Sequence, residues 1–336
     1  MRENHMDEIT IYDIAQKAGV SAATVSRVIN NYPYVKKATR AKVLKLLEEM
    51  NYIPNDTARS LVNKSSKMVG ILIADVRTTH HTEGVYYIEH EFSKRGYSCL
   101  IYNTGANPEN HDSYIQMLSK KKIDAVVMMG SVYQNDAVKK AIESYIPTTP
   151  VAICNGFIDS PNVYGVVSDE KLGVMECVKL LSSKGHKNMA FILNHETPSN
   201  LEKKKGFELG VSEYVKDGSS YTILSGDSVE EIEKATSSLL EKHPNIDCII
   251  YAEDFMALVG IHTLSEMKKR IPAEVAVMGI NNSRYAEISV PALTSLDNML
   301  YDTSLTAVRN LLQVMEGEHV NKKMLICSRI VEREST

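Results

Sequence analysis

Tryptophan is absent from the 336 residues, and phenylalanine is scarce, with five copies against seventeen tyrosines. Any binding event must therefore be followed through tyrosine signals or a labelled partner. Cysteine is sparse too. Cys99, Cys154, Cys177, Cys248 and Cys327 are odd in number and widely spaced, and no CxxC pair occurs. That excludes a disulfide framework and a structural zinc site. Four of the five sit in apolar runs that read as strands, which predicts reduced core residues. No apolar run approaches the roughly 18 residues of a membrane span. The first residues, MRENHMDEIT, lack the apolar segment of a secretory signal, so a cytoplasmic location is expected. Catalytic signatures are missing as well: no GxSxG, no Walker A pattern, no GxGxxG after the first strand and no HExxH. Their absence weighs against the enzyme classes that depend on them.

What is present is ordinary in bulk and uneven in detail. Hydrophobic residues make up 43% and charged residues 24%, as in a soluble globular protein. The length allows two or three domains and a sizeable core. The net charge of −4 hides an asymmetry. Residues 1–65 hold ten basic against seven acidic side chains, and the remainder holds 28 basic against 35 acidic. A small basic head on a larger acidic body suggests nucleic-acid contact at the head only.

Residues 10–50 read as three short helices. Thr10 with Asp13 forms a capping-box pattern ahead of the first, TIYDIAQKA. Gly19 can take the positive φ that ends it, and Val20 can plug the turn. Ser21 is a good N-cap for the second, AATVSRVIN, in which Val25, Val28 and Ile29 fall on one inward face. The third, about 37–50, is expected to bury Val43, Leu44, Leu46, Leu47 and Met50. Helix, short glycine turn, helix is the helix-turn-helix pattern. In NYIPNDTARSLVNKSS, Pro54 breaks the preceding element and Asn55 can cap a short helix to about Val62. Such a helix is too short to hold alone and reads as a hinge.

From residue 68 apolar strand-like runs alternate with amphipathic helices: MVGILIADV, YSCLIYN, DAVVMMG, PVAICNG, YGVVS, NMAFIL, YTILS, CIIYAE, VAVMGIN and MLICSRIV. Near-continuously apolar strands alternating with helices predict parallel sheets covered on both faces. Ten runs over this length fit two similar subdomains, with a ligand cleft between them at the strand carboxyl ends.

The head TIYDIAQKAGVSAATVSRVIN, the hinge YIPNDTARSL and the body segments VVSDEKLG, KGHKNMAFI, AEDFMALVG and VPALTSLDN resemble the LacI/GalR family of bacterial transcription regulators, in family order over essentially the whole chain. The resemblance implies a small all-α helix-turn-helix DNA-binding head plus an α/β periplasmic-binding-protein-like body of two Rossmann-like subdomains. The boundaries expected are 8–52 for the head and 53–66 for the hinge helix and linker. The N-terminal effector subdomain would take 67–165 and 298–324, and the C-terminal one 166–297 and 325–336. The function implied is that of a dimeric repressor of carbohydrate-related metabolism genes, with operator affinity controlled by a small molecule in the cleft.

In the family the second helix lies in the major groove. By resemblance Ala22 and Ala23 hold the base-reading positions, where they could touch a thymine methyl but not hydrogen-bond. Arg27 is the candidate for a guanine contact. Thr10, Ser21, Thr24, Ser26, Asn30, Tyr34 and Val35 look like backbone-positioning residues. Lys36 and Lys37 near a helix start oppose its dipole, a conflict that phosphates would relieve. Leu61 matches the leucine that wedges into the central minor-groove step, with Asn55 and Arg59 in support.

The sugar-binding positions of the family are altered throughout. Lys203 stands in KKKGF where arginine is usual, Asn155 replaces an acid, and Ser228 follows Gly226–Asp227 where a ring would stack. Glu253 replaces an asparagine and Asn281 an aspartate. Lysine cannot make arginine's planar fork, and losing carboxylates removes strong acceptors for hydroxyls. The effector is therefore expected to be sugar-related but not a hexose in the ordinary pose. His80 and His81 occupy the positions of two ligand-facing aromatics and, with Glu253, would form a polar, weakly acidic pocket. Those three are zinc-compatible, but adjacent histidines in extended chain point apart and spacing places no third, so no metal or cofactor is expected. The alternative is a degenerate cleft, with the same DNA-binding role controlled by a protein co-effector. A solute-binding transport protein is opposed by the head and by the missing export signal. The chain ends at IVEREST without the leucine-heptad tail of tetrameric relatives, so a homodimer is expected.

In vitro selection from random DNA is expected to enrich a pseudo-palindrome of two half-sites around a flexible pyrimidine–purine step, CG. Enrichment of asymmetric sites lacking a central step would contradict this.

Overall fold

The computed structural model describes residues 9–52 and 65–336. These divide into two compact units, with the boundary at Ser66/Lys67. Leu61, Asn55 and Arg59, with the rest of the expected hinge helix, lie outside the described residues.

The first unit holds three helices, α1 (Ile11–Ala18), α2 (Ala22–Ile29) and α3 (Lys37–Glu49). Thr10 caps α1 in a capping box with Asp13, and Gly19 ends it at φ 67°, where a Cβ would be strained. Their core is Ile14, Ala15, Ala18, Val25, Val28 and Val43, with Val20, Leu46, Leu47 and Met50 packed around it. Leu44 departs from expectation: it is half exposed. Val43 and Leu47 (i, i+4) already fill the inward stripe, which turns the position beside Val43 outward.

The second unit contains two six-stranded sheets. The first runs β1 (Met68–Ile73), β2 (Ser98–Asn103), β3 (Ala125–Met129), β4 (Val151–Cys154), β5 (Val163–Ser168) and β11 (Lys323–Ile326), in the order β11-β5-β4-β3-β1-β2. The second holds β6 (Asn188–Leu193), β7 (Ser219–Leu224), β8 (Cys248–Tyr251), β9 (Ala276–Ile280), β10 (Thr294–Asp297) and β12 (Arg329–Val331), in the order β12-β10-β9-β8-β6-β7. The same winding occurs twice. Helices α4 (Thr79–Ser93), α5 (Pro108–Lys120), α6 (Asp136–Tyr145) and α12 (Leu300–Met315) belong to the first lobe. Helices α7 (Glu170–Ser183), α8 (Pro198–Tyr214), α9 (Val229–Lys242), α10 (Asp254–Glu266) and the short α11 (Arg284–Ile288) belong to the second. Each central strand is buried on both faces, as a parallel sheet covered by helices requires.

Three details differ from the sequence expectation. The chain leaves the first sheet only after Ser168 and Ile326, later than the expected 165 and 324, because β11 pairs with β5 through Ile326↔Ser168. MLICSRIV is two strands, not one. Only Cys327 and Ser328 separate β11 from β12, so the chain enters the second sheet at the carboxyl end of β10 and must run back antiparallel, with Asp297↔Arg329. This also exposes Cys327, expected in the core, and Cys177 is buried on helix α7; Cys154 and Cys248 are buried in strands. Finally, TSLD forms β10, where the alternation of polar residues gave no continuous apolar run.

Helices α7 and α8 pack at glycine. A Cβ on Gly206 would fall 2.2 Å from the Lys171 carbonyl oxygen, and one on Gly210 would fall 2.8 Å from Val178 Cβ. Gly206→Ala should cost about 1–3 kcal/mol, because backbone cannot yield as a side-chain tip can. Urea unfolding checks this; an unchanged midpoint would mean the helices separate freely.

Candidate functional site

In the helical unit the hydroxyls of the cap residues are committed internally. Thr10 Oγ1 donates to Asp13 Oδ2 at 2.6 Å, and Ser21 Oγ accepts from Thr24 N at 3.2 Å and lies 3.0 Å from Thr24 Oγ1. Asn30 Nδ2 donates to Ser26 Oγ at 3.4 Å. Ala22 and Val35 pack against the head core, whereas Ala23, Arg27 and Tyr34 project outward, Tyr34 with 95% exposure. Ala23 and Arg27 are one turn apart on a single face of α2. Tyr12 on α1 is also exposed and was missed by sequence reading, although it lies off the Ile14–Ala15–Ala18 stripe. Helix α3 begins at Lys36–Lys37 with no side-chain cap and no acid in its first turn. Its unanswered N–H groups and two ammonium groups make an anion-attracting end.

In the two-lobed unit, the winding reverses at β1, between β2 and β3, and again at β6, between β7 and β8. A crevice for ligand forms outside the carboxyl ends of such strands. On the first lobe His80 and His81 occupy the opening turn of α4, not extended chain as expected, with ring centroids 6.3 Å apart. The His81 ring lies against Gly130 at the end of β3: a Cβ there would sit 3.2 Å from Nε2. Both Nδ1 atoms are buried without a hydrogen-bond partner among the described residues. Burial pushes His80 down to about 3, with His81 and Lys203 adding to the effect, and burial also lowers His81. Burial thus favours the neutral form of both rings, and a neutral imidazole carries one donor and one acceptor.

On the second lobe Lys203 is buried within α8. Its Nζ donates to Asn200 Oδ1 and to the Ala252 carbonyl, both at 3.1 Å, and lies 3.5 Å from Glu170 Oε1. Asn200 Nδ2 donates to Asn194 Oδ1 at 3.0 Å, and Asn194 Nδ2 donates to Asp227 Oδ1 at 2.8 Å; His195 Nε2 also meets Asp227. Glu253, next to Ala252, is raised above the usual carboxylate range by burial, against the pull of Lys203.

Asn281 Oδ1 accepts from Asn298 Nδ2 at 2.9 Å, and that amide also donates to Glu170 Oε1 at 3.1 Å. Asn155, at φ 58°, donates through Nδ2 to Ser199 Oγ at 3.4 Å across the lobes. Ser199 N donates to Ser131 Oγ at 3.0 Å, and Thr79 Oγ1 donates to Tyr285 Oη at 3.3 Å. Ser228 stands apart: it is exposed, and its hydroxyl belongs to the capping box of α9 with Glu231. Asp227, one residue earlier, is the member of that segment tied into the polar network. Glu170, Asn200, Asn194 and Asn298 were not foreseen, since a buried polar network has no spacing signature. Among the described residues no group of three His, Cys, Asp or Glu side chains gathers as a metal set.

A helix-turn-helix unit joined to a two-lobed α/β body with its crevice at the strand carboxyl ends is the build of a DNA-binding transcription regulator. Residues 10–55 match the model for bacterial regulatory proteins of the lacI family, and residues 178–336 match a periplasmic-binding-protein-like domain. The chain is 32% identical to catabolite control protein A of Priestia megaterium, over 98% of this chain and 99% of that one. It is 30% identical to the ribose operon repressor of Halalkalibacterium halodurans, over 97% of each. A lac repressor dimer bound to operator and the anti-inducer ONPF shares the fold, with TM-score 0.88, 23% identity and coverage of 98% of this chain and 99% of that one. The chain belongs to the lacI family of bacterial regulatory proteins and is a DNA-binding transcriptional regulator; its relatives are regulators, not enzymes.

The neutral state of His80 has a thermodynamic consequence. Its pKa in the fold lies below the ordinary 6.5, so its contribution to stability is complete above about 6.5 and is lost as pH falls toward 3. Over that window wild type should lose up to roughly 1 kcal/mol per pH unit from this group. His80→Gln should flatten the dependence of urea midpoints between pH 7 and 5; an identical slope would place the acid sensitivity elsewhere.

Proposed function

We propose that this regulator is a homodimeric repressor of carbohydrate-related genes, and that a sugar-related small molecule in the crevice controls its operator affinity. The observation that carries the reading is the set of hydrogen bonds across the crevice. Ser131, Asn155 and Thr79 of the first lobe meet Ser199 and Tyr285 of the second. A ligand seated among them competes with or reinforces bonds that set the angle between lobes. It shifts the equilibrium only by its differential affinity for the two angles, typically about 1–3 kcal/mol. The buried, unpartnered Nδ1 atoms of His80 and His81 support a hydroxyl-bearing ligand, since a hydroxyl both donates and accepts.

In the head, Ala23 and Arg27 are assigned to base edges, with Ala22 beside them. Thr10, Ser21, Thr24, Ser26, Asn30, Tyr34 and Val35 hold the phosphate register. Asn55, Arg59 and Leu61 are assigned to the minor groove at the centre of a pseudo-palindromic operator. Dimerisation is supported by exposed apolar side chains: Tyr86 on α4, Tyr301 on α12, and Ile288 and Val290 at and after α11. These elements are tied by the Tyr87–Tyr301 ring contact and the Arg284–Glu83 ion pair. Such a patch on one face marks an association surface.

The test is an anisotropy titration of a selected DNA site, with and without pooled sugars, sugar acids, polyols and nucleosides. One pool is expected to shift the affinity about 5–150-fold, in line with ordinary coupling energies. DNA binding indifferent to every pool would favour the protein co-effector instead. Light scattering should give twice the 37.5 kDa chain mass; a tetramer mass would refute the dimer.

A further inference from the structure

The crevice carries a charge arrangement that sorts ligands. Lys203 and Glu170 form an ion pair with only 5% and 3% of their side chains exposed. Lys203 Nζ donates to Asn200 Oδ1 and the Ala252 carbonyl, and its charge is faced by Glu170 Oε1 at 3.5 Å. Glu170 accepts a further bond from Asn298 Nδ2. Two arginines on the first and second lobes are answered as well. Arg77 pairs with Asp75 at 2.7 Å, and Arg284 pairs with Glu83 at 3.2 Å. Glu253 after β8 and the rings of His80 and His81 at the start of α4, with buried, unpartnered Nδ1 atoms, stand at the strand carboxyl ends.

We propose that Glu170 determines effector class: by neutralising Lys203 it bars anionic ligands from the crevice, which takes an uncharged polyhydroxyl compound. This inference rests on the effector-crevice reading above. An anion entering beside Lys203 meets a cation whose charge is already compensated by Glu170. Glu253 beside Ala252 offers it no positive charge, since burial raises that carboxyl toward its neutral form. A hydroxyl meets none of these penalties and satisfies the orphaned imidazole nitrogens. Glu170 acts from behind Lys203, so its influence is through charge and not through contact with the ligand.

The prediction is read with the full chain in thermal-shift and calorimetric titrations. The uncharged probes are ribose, xylose, glucose and sorbitol; the anionic probes are gluconate, glucose 6-phosphate and ribose 5-phosphate. Wild type is expected to respond to an uncharged probe and to no anionic one. Glu170→Gln keeps the shape, leaves Lys203 uncompensated, and is expected to bind an anionic probe on the order of tenfold or more tighter than wild type. Glu170→Asp restores the carboxylate and should restore exclusion. Anionic binding to wild type overturns the proposal and needs no variant to fold. A folded Glu170→Gln that gains no anion binding while wild type binds an uncharged probe overturns the proposal alone. Silence of every probe on both proteins overturns it together with the effector reading.

Discussion

A lysine ammonium held almost entirely out of water needs its charge balanced and its protons bonded, because leaving it bare costs several kcal/mol. Lys203 is that group, and its network of three direct partners and one further residue draws on four stretches of chain. Glu170 begins α7, Asn200 and Lys203 itself lie on α8, the Ala252 carbonyl ends β8, and Asn298 links Glu170 to the crossing after β10. The packing of α7 on α8 at Gly206 and Gly210 is what brings Glu170 within reach. Removing one partner of such a pair costs far more than the pair itself stabilises, because the survivor is a buried bare charge. The pair is thus a constraint on geometry more than a source of stability. It fixes Glu170, Asn200 and the Ala252 carbonyl in place with their polar atoms already engaged.

The parts of this architecture with a strong period were legible in sequence. The capping box at Thr10, the Gly19 turn and the Val25–Val28 stripe follow from local rules and appear as such. Nine of the ten apolar runs are single strands, because a strand buried on both faces has a nearly continuous apolar signature. The failures have physical causes too. β10 reads TSLD because its polar side chains are answered by the C-terminal segment and by Asp254: Thr294 Oγ1 accepts from Arg333 N and lies 2.8 Å from Thr336 Oγ1, and Ser295 Oγ donates to Asp254 Oδ1. MLICSRIV looks uniform in composition, yet it changes lobes in two residues, and only three-dimensional pairing shows that.

Site residues were legible to differing degrees for the same reason. Positions anchored to strand ends, such as His80, His81, Asn155, Glu253 and Asn281, can be counted from the end of an apolar run. Their partners cannot. The links Glu170–Lys203, Asn298–Asn281 and Asn200–Asn194 join residues by hydrogen bonds whose only sequence trace is a polar residue that could equally be solvated. Ser228 illustrates the converse. A serine after a Gly-Asp pair carries two readings, ligand contact and N-cap, and Glu231 three residues later makes it a cap.

The crossing segment is where the crevice and the lobe angle meet. Asn298 donates to Glu170 and to Asn281 through its side chain, while its carbonyl accepts from Ser168 Oγ at the end of β5. Two of the three strands of chain that join the lobes, after Ser168 and after Asp297, are therefore bonded to each other and to the Lys203 network at one residue. The third is held close by: Ser328 Oγ donates to the Asp169 carbonyl at 3.0 Å. A change in lobe angle must reorganise bonds at Asn298, and a change at Lys203 reaches Asn298 through a single carboxylate. Coupling needs no longer path than this, because packed polar networks have discrete arrangements and do not deform continuously. The same chain of bonds thus ties the Lys203 network to the segments about which any change of lobe angle turns.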